Sequence, residues 1–163
     1  MQLETLFEMQ AGLDRYIEEK HQLENEDLFN RKVLALLVEI GELANETRSF
    51  KFWSVKPASE KKIILEEFVD GIHFILSLGI ECGFHKQPLE LEAEPTVQDI
   101  NEQFLKIYQA VSIFQASRSL SDYQHVFEDY LQLAMLLGIK YEEMEQAYIQ
   151  KNEVNYKRQN QNY

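Results

Sequence analysis

One cysteine (Cys82), three prolines and six glycines are all the chain has of these residue types in 163 positions. A lone cysteine excludes an internal disulfide framework and fits a reducing compartment. So little turn chemistry excludes an all-β chain, which needs a turn signal every ~8–12 residues. Positive charge is also scarce: 16 Lys and Arg stand against 28 Asp and Glu, for a net charge of −12. Nucleic acid is held mainly by Lys and Arg on phosphates, and anionic membrane by polybasic segments, so neither is an expected partner. The most apolar stretch, Gly71 to Phe84, contains His73 and Glu81 and is too short to span a bilayer. The opening MQLETLFEMQ has neither the basic start nor the apolar centre of a signal peptide. A soluble, cytoplasmic protein is expected. No Gly-rich phosphate loop and no G-x-S-x-G occurs, and Cys82 has no evident base beside it.

What is present is helical periodicity. Hydrophobic residues make up 45% and charged residues 27%, ordinary for a folded domain of this length. Apolar side chains recur at helical spacing nearly throughout, which predicts a single all-α domain over residues 1–163 with about six helices. The first is expected at about Gln2–Lys20 and the second at about Glu26–Thr47. An irregular segment Arg48–Ala58 (RSFKFWSVKPA) follows. Ser59 is a candidate N-cap for a third helix, Glu60–Cys82, which Gly83 ends. Thr96 with Asp99, and Ser121 with Gln124, resemble capping boxes for the fourth and fifth helices, running to Ser117 and Gly138. The sixth is expected from Tyr141 to about Arg158, with QNQNY frayed.

Two of these helices carry acids where a buried face should be apolar. LLVEIGELANE places Glu39 and Glu42 three residues apart, and ILEEFVDGIHF does the same for Glu67 and Asp70. Three residues put each pair about 60° apart on one helix face. A modest loop joins the two helices, so antiparallel packing would bring all four carboxylates into one space. Like charges in a partly dry site would take up protons unless a cation joined them. An oxygen-only ligand set suits Mg²⁺, with Mn²⁺ as a substitute. The plain alternative is a pair of solvated acidic faces neutralised by Lys32, Lys61 and Lys62.

With 24 residues between the pairs, this E-x-x-E…E-x-x-D layout resembles the all-α nucleotide pyrophosphatases, the superfamily of MazG-like enzymes and dimeric dUTPases. The wording VEIGELANETRSFKFWS and ILEEFVDGIHFILSLG is closer to the dimeric dUTPases, and the resemblance extends from about Leu6 to Arg158. It implies a helical bundle with a four-helix metal-binding core, a homodimer, and Mg²⁺-dependent hydrolysis of dUTP to dUMP and pyrophosphate. Glu39, Glu42, Glu67 and Asp70 would hold the metal, and Glu39 or Glu42 would activate water. By the same resemblance His73 lies against the deoxyribose. Gln10 and the residue one turn on contact the pyrimidine; the family has Asn there, where this chain has Asp14.

Two further features are read from the residues. Trp53, in the irregular segment, could stack on a base or sugar, flanked by Lys51 and Lys56. Lys151, Asn155 and Arg158 share one helix face and form the best cationic stripe in the chain, either ordinary charge at a helix C-terminus or, as the family resemblance implies, a phosphate clamp. Nothing around them looks like core, so their loss is expected to leave folding nearly intact. Two other functions stay open: a MazG-like pyrophosphatase for dCTP or another noncanonical nucleotide, and a non-catalytic helical interaction module.

Overall fold

The computed structural model describes residues 1–163 and contains six α-helices and no strand. They are α1 (Leu3–His21), α2 (Phe29–Thr47), α3 (Lys61–Glu81), α4 (Ile100–Ser117), α5 (Leu120–Leu136) and α6 (Tyr141–Asn160), with one 3₁₀ turn at Phe84–Lys86.

Local hydrogen bonding moves several helix ends from their expected places. Asp27 accepts from the Phe29 backbone N–H at 3.0 Å, immediately ahead of the first turn of α2, which starts later than expected. Ser59 does not cap α3. Its hydroxyl donates to the Glu46 carboxylate and its N–H to the Glu46 carbonyl, fastening the irregular segment to the end of α2. Asp99, not Thr96, caps α4, accepting from the N–H groups of Asn101 and Glu102. Ser119, not Ser121, caps α5 by accepting from Asp122 N–H at 3.1 Å. Gly83 (φ +77°) and Gly138 (φ +70°) stand where α3 and α5 end, in a backbone conformation most side chains disfavour. The tail does not simply fray: α6 continues to Asn160, and the Tyr163 N–H donates to the Arg158 carbonyl.

Cross-helix bonds give the directions. On α1 and α3, Gln10 meets His73 and Asp14 meets Ser77, so these helices run parallel. Lys61 pairs with Glu143 and Lys151 with Asp70, so α6 runs parallel to both. Along α5, Tyr123 reaches the Ile75 carbonyl and Tyr130 the Phe68 carbonyl, so α5 is antiparallel to α3. Helix α3 is the spine, with Phe68, Ile72, Ile75 and Leu76 fully buried. It accepts the two α5 tyrosines because Gly71 and Gly79 lack a Cβ, which would overlap the phenol of Tyr130 or Tyr123. Phe68 stacks on Tyr130 with centroids 4.4 Å apart. Each such aromatic contributes roughly 1.5–3 kcal/mol by leaving water.

Candidate functional site

A cleft of about 350 Å³ opens between α1, α2, α3 and α6. Helix α3 supplies its length: Asp70, His73 and Ser77 line it, with Glu67 one turn earlier. From Glu67 to Ser77 is about 15 Å of helix rise, and different chemistry sits at each end.

At the first end, carboxylate oxygens of Glu39, Glu67 and Asp70 lie within 4.8 Å of one another. Burial raises the pKa of all three; repulsion from neighbouring carboxylates adds to it at Glu39 and Glu67, while Lys151 opposes it at Asp70. Glu39 is pushed up to about 8, by burial first and then by the Asp70 charge. The one cation in contact is Lys151, whose Nζ donates to Asp70 Oδ2 at 2.9 Å. Glu39 Oε2 is buried with no hydrogen-bond partner. An acceptor-only atom orphaned among oxygen ligands fits a hard divalent cation and would be costly without one. Glu42 stands outside this tight group and is exposed, though its charge is felt by Glu39, Glu67 and Asp70. Of the three lysines in the plain alternative, Lys61 pairs with Glu143 and Lys32 sits among the acids of α1 and α3; neither neutralises the cluster.

At the other end the polar groups satisfy one another. Gln10 Nε2 donates to Asp14 Oδ1 at 2.8 Å, and Ser77 Oγ donates to Asp14 Oδ2 at 2.7 Å. Tyr148 Oη donates to Gln10 Oε1, and His73 Nδ1 lies 2.7 Å from that same oxygen. His73 stacks on Tyr148, and burial drops its pKa to about 3. Its Nε2 is the exception, buried and unpartnered. Asp14 is thus no ordinary exposed acid: burial raises it, opposed chiefly by Lys32.

Lys151, Asn155 and Arg158 all line the cleft, facing the acids from α6. Their stretch of helix is not dispensable to folding. Asn152 donates to the Met9 carbonyl, Tyr156 packs on Tyr16, and Tyr16 bonds Asn160, so this part of α6 is sealed onto α1. Trp53 is not brought into the cleft. It is 64% exposed and packs edge-on against Phe52 and Phe50 in a loop that Arg48 holds by bonds to Ser54 and Lys56. Lys56 is exposed, and Lys51 lies near the Phe50 ring. The place of Lys32 in the cleft is not legible in the sequence because it depends on how α2 packs beside α1. Ser77 left a faint signal, a hydroxyl four residues beyond His73 on an otherwise apolar face.

A family model described as dUTPase matches residues 2–163. The chain belongs to the dUTPase family. Its substrate is a nucleotide, and its activity is that of a hydrolase, dUTP pyrophosphohydrolysis. With the match spanning nearly the whole chain, neither a dCTP-directed MazG-like enzyme nor a non-catalytic module is favoured. No curated protein matches the chain.

Proposed function

We propose that this chain acts as one domain, cleaving dUTP to dUMP and pyrophosphate in the cleft between α1, α2, α3 and α6. The phosphates would lie at Glu39, Glu67 and Asp70, and the nucleoside would run along α3 towards Ser77. The observation that carries this is the orphaned Glu39 Oε2 within a group of three carboxylates. Glu39, Glu67 and Asp70, with Glu42 beside them, would hold Mg²⁺, or Mn²⁺ in its place. When bound, such an ion neutralises phosphate charge and polarises the phosphorus–oxygen bond under attack.

The remaining steps belong to side chains. Glu39 lines the cleft and Glu42 does not, so Glu39 is assigned the proton from the attacking water. Lys151 and Arg158 hold the phosphates as charge builds, with Asn155 between them. His73 lies one turn along α3 from Asp70, about 4.5 Å of rise, where the sugar of a nucleotide with its phosphates at the acids would lie. Gln10 and Asp14 lie at the depth of the base.

No helix is long and apolar enough to cross a membrane, in keeping with a cytoplasmic enzyme. A homodimer fits the apolar side chains left bare on two packed helices: Leu34 and Val38 on α2, Leu105 and Ile113 on α4. The test is pyrophosphate release from dUTP by chelated protein, with and without added Mg²⁺. Turnover independent of divalent cation would overturn the metal assignment, and no release with Mg²⁺ would overturn the reaction.

A further inference from the structure

The reaction above gives Lys32 no task, yet this lysine is placed with care. Its side chain is 12% exposed, and Nζ lies 3.1 Å from Glu81, 3.6 Å from Glu18 and 3.8 Å from Asp14. Of these acids Asp14 alone is in direct contact with the polar network of the cleft. An ionised carboxylate only accepts hydrogen bonds. Beside an ionised Asp14, Gln10 must therefore turn its NH₂ to Asp14 and its Oε1 the other way. Oε1 also only accepts, so His73 Nδ1, 2.7 Å away, must carry the ring proton, just as Tyr148 Oη donates its own. The ring is kept neutral by burial. Its other nitrogen, Nε2, is then a bare lone pair, and this is the one polar atom of the network without a partner.

Resting on the reading of the cleft as the nucleotide site, we propose that Lys32 is a positioning residue for recognition. Through Asp14 and Gln10 it fixes the His73 tautomer whose Nε2 accepts a hydrogen bond from a hydroxyl or N–H of the nucleotide. Without Lys32 the same atoms can bond in the opposite sense. Asp14, largely buried in the wall of the cleft, takes one proton from solvent and donates it in a hydrogen bond to Gln10 Oε1. The Gln10 NH₂ then faces His73, Nδ1 accepts, and the ring proton moves to Nε2. The network stays filled, but the wall presents a donor where it presented an acceptor.

The test compares wild type, Lys32→Gln and Lys32→Arg by two-bond ¹H–¹⁵N NMR of the histidine rings, and by calorimetric binding of dUMP with Mg²⁺. Wild type and Lys32→Arg should show His73 protonated at Nδ1; Lys32→Gln should show it at Nε2. Binding of dUMP should weaken roughly tenfold in Lys32→Gln, the scale of one hydrogen bond. KM for dUTP should rise in step with kcat little changed. A His73 tautomer that does not move in Lys32→Gln overturns the proposal, and so does a binding loss that Lys32→Arg fails to restore. Should Lys32→Gln not fold, the Lys32→Gln/Glu81→Gln double variant, which removes an acid with the lysine, carries the same expectation. Gln10→Ala separates the two levels. If it leaves dUMP binding intact, the cleft is not the nucleotide site. If it weakens binding while Lys32→Gln does not, only the role of Lys32 falls.

Discussion

At one end of the cleft three carboxylates share a single ammonium, Lys151, and one carboxylate oxygen has no partner. One to two turns further along α3, Gln10, Asp14, Ser77 and Tyr148 fill one another's hydrogen bonds, and Lys32 balances the buried acid. The first arrangement is under-neutralised and asks for a cation from outside. The second is complete except for one acceptor, His73 Nε2, and a complete network is rigid. Substitution should therefore act in opposite ways at the two ends. Removing charge at the first should spare or raise stability while destroying catalysis. Removing a hydrogen bond at the second should cost stability and binding while chemistry survives.

The largest effect is expected at Asp70. Asp70→Asn should lower kcat by at least about a hundredfold, because charge stabilisation worth several kcal/mol is lost. Its melting temperature in chelator should equal or exceed that of wild type, and the rise on adding Mg²⁺ should shrink. A fall in melting temperature of the chelated variant would erase the contrast between the two ends.

Arg158→Ala comes next. Loss of a charge-assisted phosphate contact should lower kcat/KM by roughly 1.5–3 kcal/mol, on the order of ten- to a hundredfold. An interaction made mainly in the transition state should lower kcat more than it raises KM. Unchanged kcat/KM would move the phosphate clamp elsewhere.

A pH experiment addresses the complete end. His73 has a folded pKa near 3, below its unfolded value of ~6.5. The unfolded chain therefore gains the proton first as pH falls. The stability this histidine contributes is full above pH ~6.5 and is lost towards pH 3. Urea denaturation of wild type and His73→Gln at pH 7 and pH 5 isolates it from the carboxylates, which titrate in both proteins. The gap between them should shift against wild type by about 2 kcal/mol at pH 5.

The smallest effect expected is that of Tyr148→Phe, which removes the donor to Gln10 Oε1 and nothing else of comparable size. It should cost about 1 kcal/mol of stability, with a modest rise in KM and unchanged kcat. A gain in stability would mean that the hydrogen bond is strained and that the network is not the rigid element described above.

The acid cluster is legible because acids at helical spacing on apolar faces conflict with burial; the conflict holds for Glu39, Glu67 and Asp70, while Glu42 of the first pair stays exposed outside the group. Also legible were the count of helices, from the apolar period, and the stops at Gly83 and Gly138. Cap positions were not, because Ser59, Thr96 and Ser121 compete with neighbours that bond better once the loops are packed. The complete end of the cleft was half legible. Gln10, Asp14 and His73 were singled out, but Lys32 came from a third helix, and pairing across helices has no local sequence signature. The stripe on α6 is legible as a face from its spacing, whereas the opposite face, sealed onto α1 by Asn152, Tyr156 and Asn160, depends on packing that no local pattern shows.

That α1 and α6 lie side by side also sets the order in which the protein can be assembled. Tyr148 and Leu6 meet across 142 residues of chain, whereas the acids Glu39 to Asp70 lie on two consecutive helices. Local helix pairs form early, and contacts between distant segments wait for a large loop to close. During synthesis the acidic half of the cleft therefore exists first, with no lysine or arginine facing it. The cationic wall arrives only with the last helix, so on the proposed reading of the cleft catalytic competence is the final event of folding.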